Sequence, residues 1–496
     1  MNQVLSYILI PLVVLVLFLG AFILLRTARF PRPVPNIPPL ERAEVDGEKV
    51  AQHLGEAIRI RTISNMDLAN NNGGAFFELH RLLERLYPKT HAALHKEVVN
   101  EYSLLYSWVG RDPELEPILL ASHQDVVPVE ESSLNDWIYP PFEGRVADGF
   151  VWGRGSMDIK CGVIGIMEAV EHLLEAGFQP ERTVYLAFGH DEELGGKNGA
   201  SAIVQLLKSR GVTLASVLDE GTAVMENMLP GVKVPVALIS TGEKGYLSLE
   251  LSSESAGGHS AMPPSHTAVG KIAQAINRLE ANPFPPHKRF IVDLFRSVGS
   301  DLPFGMQLIF ANMWLFGGVA LKKLEAAPAT NATLRTTLAA TMIEGGIKDN
   351  ILPRKARAVV NCRILPGEDL RSTYEHVMET VNNGEVSIKP LGSDTLEGIS
   401  GWDPSPAADL NNPMYLCAER VVRQTFPQAA VAPFLMLGAT DSRHYAHICP
   451  CVLRFAPYQV TADDISRVHG VNERLSIENC ETMVVFYIAY LRECAG

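Results

Sequence analysis

Apolar runs that end in polar residues recur through the first half of the chain. Three of them are "PILLASHQDVV" (117–127), "TVYLAFGHDEE" (183–193) and "LASVLDEG" (214–221), and each is apolar for about the length of a strand. Between the first two, "GVIGIMEAVEHLLEAG" (162–177) has apolar residues at helical spacing and ends at a glycine. This alternation predicts an α/β fold with a doubly wound, mostly parallel sheet, whose functional groups gather at the carboxyl ends of the strands.

The pattern changes after residue 244. "KGYLSLELSSES" (244–255) alternates like a half-exposed antiparallel strand, and two helical segments (268–282, 370–381) and two strand-like segments (356–368, 385–392) follow. This order predicts a smaller α+β module of residues 246–392, inserted between the two parts of a catalytic domain, 45–245 and 393–496. We expect the apolar segment 293–324 to form the core of this module. The alternatives are that it lines a substrate site or packs against a membrane.

The first residues differ from the rest of the chain. Residues 5–25 carry no charge and are long enough to cross a bilayer. No basic residue precedes them and no small-residue cleavage site follows, which favours a retained single-pass anchor over a cleaved signal peptide. A proline-rich linker, 26–44, comes next. Arg26, Arg29 and Arg32 would hold the following domain in the cytoplasm by the positive-inside rule.

Composition narrows the class of protein. The chain has 496 residues, of which 47% are hydrophobic, and a net charge of −13. It therefore has a substantial core, and its charge disfavours a large nucleic-acid footprint. The seven cysteines are odd in number and irregularly spaced, which predicts no disulfide framework and suits a reducing compartment. Cys449 and Cys451 are predicted to be buried thiols on a strand.

Histidines and acids, the residue types that bind metals, follow the predicted strands and loops. They are His123 and Asp125, Asp158, Glu192 and Glu193, Asp219 and Glu220, and His469. Carboxylates and imidazoles without thiolates favour zinc, or a harder ion such as manganese or cobalt. The set is large enough for two ions that share one bridging carboxylate.

The adjacent acids Glu192 and Glu193 permit two interpretations. They either form a solvated acidic turn or have different roles, one binding metal and the other moving protons. Asp125 suits the orientation of the His123 imidazole. Each residue taken alone also has a structural interpretation, such as a core histidine, a helix cap or a turn acid. The joint occurrence at strand ends favours the metal site.

The ordered motifs "SHQDVVP", "GRGSMDIKCG", "GHDEELGG", "LDEG", "GGHSAMPP", "DNILP", "GATDSRHY" and "HGVNE" cover the chain from about residue 45 to its end. As a set they resemble the zinc metallopeptidases of the aminoacylase/carboxypeptidase family. The resemblance is greatest to the branch with vacuolar carboxypeptidases and N-fatty-acyl-amino acid hydrolases. The inserted module resembles that family's lid, which also forms dimers.

The resemblance assigns roles to residues. His123 and Asp219 would bind one zinc ion, Glu193 and His469 the other, and Asp158 would bridge both. Glu192 would be the general base, supported by Asp125 at His123, and His259 would stabilise the oxyanion. Asn350 and Arg443 would hold the substrate. The choice of Asp219 over the adjacent Glu220 depends on the resemblance alone.

These expectations describe a membrane-anchored di-zinc amidohydrolase. It would cleave, or reversibly form, the amide of N-acyl amino acids with hydrophobic or fatty acyl groups, by a metal-bound hydroxide and the Glu192 base. The alternatives are a carboxypeptidase acting on short peptides and a non-catalytic tethered binding protein. The binding protein would lack a ligand or the base, yet every position is filled. The resembling proteins work in the vacuole lumen or outside the cell, so the side of the membrane stays open.

Overall fold

The computed structural model describes residues 2–32, 35, 37–65, 73–229, 231–396 and 401–496. The helices are α1 (Asn2–Ala28), α2 (Gly47–Arg59), α3 (Gly73–Leu86), α4 (Pro88–Ala93), α5 (Lys160–Glu175), α6 (Ala200–Ser209), α7 (Ala268–Ala281), α8 (Arg289–Ser297), α9 (Phe304–Ala311), α10 (Met313–Glu325), α11 (Pro328–Leu334), α12 (Leu370–Val381), α13 (Pro413–Thr425), α14 (Ser442–Tyr445), α15 (Ala462–Ile465) and α16 (Ile477–Ala495).

The strands follow the same chain order. They are β1 (His95–Val99), β2 (Ser103–Trp108), β3 (Ile118–His123), β4 (Arg145–Ala147), β5 (Phe150–Trp152), β6 (Val184–Gly189), β7 (Ser216–Asp219), β8 (Val224–Met225), β9 (Val236–Glu243), β10 (Gly245–Glu254), β11 (Gly258–His259), β12 (Thr337–Gly345), β13 (Ile351–Leu352), β14 (Lys355–Ile364), β15 (Ser387–Pro390), β16 (Ala430–Met436), β17 (Val452–Arg454), β18 (Gln459–Val460) and β19 (Arg474–Ser476).

A ten-stranded sheet forms the largest part of the structure, and its order is β1-β2-β6-β3-β7-β17-β9-β8-β18, with β16 paired to β9. The central pairs β3–β6, β3–β7 and β17–β7 are parallel, whereas β1–β2, β2–β6 and β8–β9 are antiparallel. Along β3, Ile118 and Leu120 belong to one apolar core and Leu119 and Ala121 to another, so both faces of the strand are buried. The α/β class is confirmed, and the sheet is mixed.

A separate antiparallel sheet has the order β12-β14-β10-β15. Its buried residues pack with those of α7 and α12 in a core of their own. The strands and helices lie where the alternating and helical patterns of 244–392 predict them. Treatment of this unit as a lid with the boundaries 246–392 stays a prediction.

The expected position of the apolar segment 293–324 is wrong. Leu294, Phe295 and Phe310 are buried with Val236 and Ala432, which lie on β9 and β16 of the ten-stranded sheet. The segment therefore extends the core of the large sheet and not that of the smaller one. Apolar periodicity marks a buried face but does not identify the sheet that covers it.

The cysteines also depart from expectation at one pair. Cys417 on α13 and Cys494 on α16 form a disulfide across 77 residues of chain. The other cysteines are free and buried, including Cys449 and Cys451, which precede the strand β17 and do not lie on it as predicted. One bond is not a framework, but it removes the argument that the cysteines suit a reducing compartment.

Candidate metal centre

The histidines and acids meet at one edge of the large sheet. His123 ends β3, Asp219 ends β7, and the turn Glu192–Leu194 begins three residues after β6 ends. Because β3, β6 and β7 are parallel neighbours, their carboxyl ends lie together. Asp158 precedes α5, and His469 lies in a loop between α15 and β19.

Five of these side chains form two overlapping groups of metal-binding atoms. His123, Asp158 and Glu220 make one group, and Asp158, Glu193 and His469 make the other, with the donor atoms of each group within 4.8 Å of one another. Asp158 Oδ1 lies 3.1 Å from His123 Nε2, while its Oδ2 lies 3.0 Å from His469 Nε2. Each oxygen of one carboxylate thus faces a different group, as a bridging ligand of a two-metal site does.

The resemblance assigns Asp219 to the first group, whereas the donor atoms that lie within 4.8 Å of one another include one from the adjacent Glu220. Asp219 and Glu220 are neighbours at the end of β7, and their side chains face different surroundings. Asp219 pairs in register with Arg454 of the adjacent strand β17. Its carboxylate is buried, and burial raises its pKa to about 6. Asp219 Oδ2 is also buried and accepts no hydrogen bond from the described residues, so both neighbouring acids are candidate ligands.

Asp125 holds two parts of the centre together. Its carboxylate Oδ1 lies 3.2 Å from His123 Nδ1, so it can orient that imidazole. The same carboxylate accepts hydrogen bonds from the backbone amides of Glu192 and Glu193, both at 3.2 Å, and from the Ser64 hydroxyl at 2.7 Å. The predicted supporting role is therefore wider than the orientation of one histidine.

The three acids of "GHDEELGG" have different surroundings. Asp191 accepts hydrogen bonds from the backbone amides of Asn198 and Gly199, at the start of α6. Glu193 lies 3.3 Å from His469. The Glu192 carboxylate is outside both donor groups, and burial raises its pKa well above the ordinary value. The solvated-turn interpretation does not fit this geometry.

Glu473, in the "HGVNE" motif, is a supporting residue that the sequence analysis did not identify. Its fully buried carboxylate accepts hydrogen bonds from the amides of Gly155, Met157 and Asp158, at 2.8–3.2 Å. It also pairs with the Arg154 guanidinium at 2.6 Å. Glu473 therefore fixes the loop that presents the shared carboxylate. Its position four residues after His469 was the available signal.

The electrostatics of the centre favour cations. Burial would lower the pKa of His123, but the Asp125 and Asp158 carboxylates raise it well above its ordinary value. Hydrogen bonds that His469 donates to the Asp158 and Glu193 carboxylates raise its pKa to about 10. Burial raises the pKa of Glu220 well above its ordinary value, and the Asp158 charge adds to this. These pKa shifts show that the carboxylates of the centre outnumber the positively charged groups beside them.

The donor set fits divalent metal ions. Two imidazoles and three carboxylates, without thiolates, match the ligands of zinc and of harder divalent ions. Glu193 Oε1 is buried and faces the His469 imidazole at 3.3 Å, so a cation between the two side chains would satisfy both of them. Divalent ions at the two groups would neutralise the surplus negative charge.

The structure does not bring all of the predicted substrate residues to the centre. His259 and Asn350 lie beside each other on the exposed ribbon of β11 and β13, where the Ser260 amide donates to the Asn350 carbonyl at 3.2 Å. His259 Nδ1 accepts a hydrogen bond from the Ala261 amide at 3.0 Å. Within the described part of the chain, no hydrogen bond or ion pair joins this ribbon to the metal ligands.

Arg443 is nearer to the centre. Its guanidinium donates to the carbonyls of Gly195 and Thr440 and stacks 4.3 Å above the ring of Trp402. Gly195 closes the turn that carries the two glutamates, so Arg443 holds this turn from outside. These contacts fix the guanidinium next to the site with one face covered.

A second cluster of buried polar and charged residues lies beside the metal ligands. We call it the arginine cluster: Arg454, Glu243, Ser405 and Thr440. Arg454 Nε donates to Glu243 Oε2 at 3.2 Å, and its Nη2 donates to the Ser405 hydroxyl at 3.2 Å. Glu243 Oε2 also accepts from the Thr440 amide at 3.1 Å. Here a guanidinium balances the carboxylate without a metal.

Comparison with known proteins supports the same interpretation. The family model described as "Peptidase family M20/M25/M40" matches residues 119–493. The N-fatty-acyl-amino acid synthase/hydrolase of Danio rerio is 39% identical over 92% of this chain and 87% of its own length. A probable carboxypeptidase S-like protein of Dictyostelium discoideum is 36% identical over 97% and 93%, respectively.

Solved structures share the fold at much lower identity. A metallo-carboxypeptidase of this family from Sulfolobus solfataricus has a TM-score of 0.64 at 17% identity, covering 90% of this chain and 99% of the other. Human carnosine dipeptidase 1 has a TM-score of 0.58 at 16% identity, covering 92% and 100%. The family match and the near-full-length relatives together show that this chain belongs to Peptidase family M20/M25/M40 and is a metallohydrolase of that family.

Proposed function

We propose that the protein is a di-zinc amidohydrolase that cleaves, or reversibly forms, the amide bond of N-acyl amino acids with fatty acyl groups. The observation that carries this proposal is the pair of donor groups that share Asp158, next to a buried glutamate outside both groups. The near-full-length relatives named for fatty-acyl amino acids support the substrate class.

We assign His123, Asp158 and Glu220 to one zinc ion, and Asp158, Glu193 and His469 to the other. Zinc would supply a Lewis acid for the amide carbonyl and lower the pKa of the attacking water. Asp125 keeps His123 in the orientation that exposes Nε2 to the centre.

Glu192 moves the proton in this proposal. It takes a proton from the attacking water as the oxygen bonds to the carbonyl carbon, and it passes that proton to the nitrogen as the C–N bond breaks. The products are a fatty acid and an amino acid. A raised pKa suits this role, because the carboxyl must hold the proton between the two steps.

The substrate contacts complete the proposal. Arg443 is the charge beside the glutamate turn that can bind the free carboxylate of the substrate. His259 and Asn350 lie together on an exposed ribbon next to the smaller sheet. They would reach the centre when the smaller unit closes over it, or from a second copy in a homodimer.

The alternative is a carboxypeptidase that releases the last residue of short peptides, which the carboxypeptidase S-like relatives favour. The test uses the full-length protein in detergent with zinc. One substrate is a long-chain N-acyl amino acid, and the other is a blocked dipeptide with the same C-terminal residue. Faster cleavage of the first, abolished by chelation and restored by zinc, is expected. Preference for the dipeptide would instead establish the carboxypeptidase.

The membrane anchor is part of the proposal. Residues Leu9–Ala28 form an apolar helical stretch of 20 residues, which by length and composition can cross a membrane. The disulfide between Cys417 and Cys494 favours an oxidising compartment for the catalytic part, against the arginines that follow α1. Alkylation of thiols before and after reduction, followed by mass measurement, tests this: one added pair of labels after reduction is expected.

A further inference from the structure

The helices α9 and α10 form a sharp corner beneath the end of α1. They are bent by 113° about Asn312, whose side-chain amide is fully buried. The Asn312 Nδ2 group donates to the Leu308 carbonyl at 3.0 Å, which satisfies the end of α9. The polar corner residue thus turns inward, away from solvent.

The same corner fastens the last turn of α1. Asn312 Nδ2 lies 3.2 Å from the Thr27 hydroxyl and 3.3 Å from the Ile23 carbonyl. Arg26 Nε donates to the Ala311 carbonyl at 3.2 Å. These contacts fix the position of the corner relative to the apolar span.

The first turn of α10 lies beside the span itself. The Trp314 ring packs edge-on against the Phe22 ring, with 6.2 Å between centroids. Phe22 precedes Ala28, the last residue of the span, by six positions, or about 9 Å of helix. Trp314 therefore lies at a level that the bilayer would occupy if α1 crosses it. Tryptophan and tyrosine are enriched where a bilayer meets water.

One face of α10 is apolar and uncovered. Trp314, Leu315 and Val319 are 54%, 46% and 77% exposed. Leu315 and Val319 share a face because they are four positions apart, and Trp314 is exposed beside them. Lys322 and Lys323 continue this exposed face one turn later. An apolar surface followed by lysines matches the acyl chains and anionic headgroups at a bilayer surface.

We propose that the α9–α10 corner is a second membrane contact, which lies in the bilayer interface next to α1. Trp314, Leu315 and Val319 enter the acyl region, while Lys322 and Lys323 reach anionic headgroups. The occupant of this face is the lipid bilayer, because the face is continuous with the apolar span and at the same level. The inference rests on the proposed anchor, and its test does not use catalytic turnover.

The experiment places a fluorophore on the proposed contact. The full chain carrying Val319→Cys is labelled and inserted into nanodiscs that hold one copy each, made of phosphatidylcholine and phosphatidylserine. The matched control is Val109→Cys, because Val109 is 66% exposed and lies after β2 on the large sheet. The free native cysteines are buried, so the introduced thiol reacts preferentially.

Brominated acyl chains quench fluorophores that touch them, and we expect the label at residue 319 to lose about half of its intensity or more. The label at residue 109 should keep its intensity. Equal intensities at residue 319 in brominated and ordinary discs would overturn the proposal. A label shielded in detergent at high protein concentration but exposed in single-copy discs would assign the face to a second copy. Failure of the chain to insert into discs would overturn the anchor, and with it this proposal, without bearing on the hydrolase.

Discussion

Two buried groups of charges lie side by side at the edge of the large sheet, and they are balanced differently. In the metal centre, Asp158 serves two histidines, and further carboxylates surround them. In the arginine cluster, Glu243 meets the guanidinium of Arg454 and the Thr440 amide. A guanidinium balances the charge of a buried carboxylate, whereas several carboxylates that face two imidazoles leave negative charge for a cation.

Asp219 and Glu220 mark the boundary between the two groups. Asp219 is the last residue of β7, and Glu220, which follows it, belongs to the donor group of His123 and Asp158. Burial raises the pKa of Asp219, and the positive charges of Arg454 and His123 oppose this rise, so Asp219 lies between the two groups. The comparison teaches that the balance of charges around an acid, more than its burial, indicates a metal ligand.

Glu192→Gln should have the largest effect. The substitution keeps the shape of the side chain but removes its ability to carry a proton, so we expect turnover to fall by about 10²- to 10⁴-fold. Bound zinc and thermal stability should remain near those of the unaltered protein, because the carboxylate is outside both donor groups. Turnover assays with metal analysis on the same sample test this. Loss of zinc together with activity would make Glu192 a ligand.

The metal content of Glu220→Gln and of Asp219→Asn shows which of the two neighbouring acids binds an ion. We expect Glu220→Gln to weaken the binding of one metal ion by roughly 100-fold or more. A residue that only supports a ligand would weaken it by about 10- to 100-fold. Asp219→Asn should keep both ions, because its carboxylate lies outside the donor group. Metal titration of the two variants measures this. The reverse result would restore the ligand that the family resemblance assigned.

Arg454→Met tests the arginine cluster. It leaves Glu243 buried without its ion pair, and we expect the free energy of unfolding to fall by about 3–5 kcal/mol. The double variant with Glu243→Met should recover much of that loss, since it leaves no unpaired charge. In metal-free protein, Glu220→Gln should cause no such loss. Denaturant unfolding distinguishes these outcomes, and equal destabilisation by Arg454→Met and Glu220→Gln would end the distinction between the two groups.

A buried cation outside both groups gives the smallest expected effect. Burial lowers the pKa of Lys244 to about 7, and its ammonium donates to the Arg335 carbonyl at 2.8 Å. The unfolded chain binds this proton more tightly, so the residue destabilises the fold fully below pH 7 and progressively less as the pH rises toward 10.5. Lys244→Met should therefore raise stability at pH 7 by roughly 3 kcal/mol more than at pH 10. Unfolding at both pH values measures the difference, and a constant difference would contradict the lowered pKa.

The sequence alone predicted the α/β class and the convergence of residues from separate strand ends. Period-two and helical patterns determine which faces are buried, and parallel strands bring their carboxyl ends to one edge. His123, Asp158, Glu193 and His469 were identified in this way together with the family motifs, and the structure groups all four.

Only the tertiary structure decided the remaining features. The structure brings Glu220, the residue after β7, within reach of His123 and Asp158, a contact that the two adjacent acids of "LDEG" do not specify. Segment 293–324 packs on the large sheet and not the small one, because an apolar pattern does not name its partner. The link between Cys417 and Cys494 requires two helices to pack side by side across 77 residues. Each feature depends on contacts between distant parts of the chain, which local patterns do not encode.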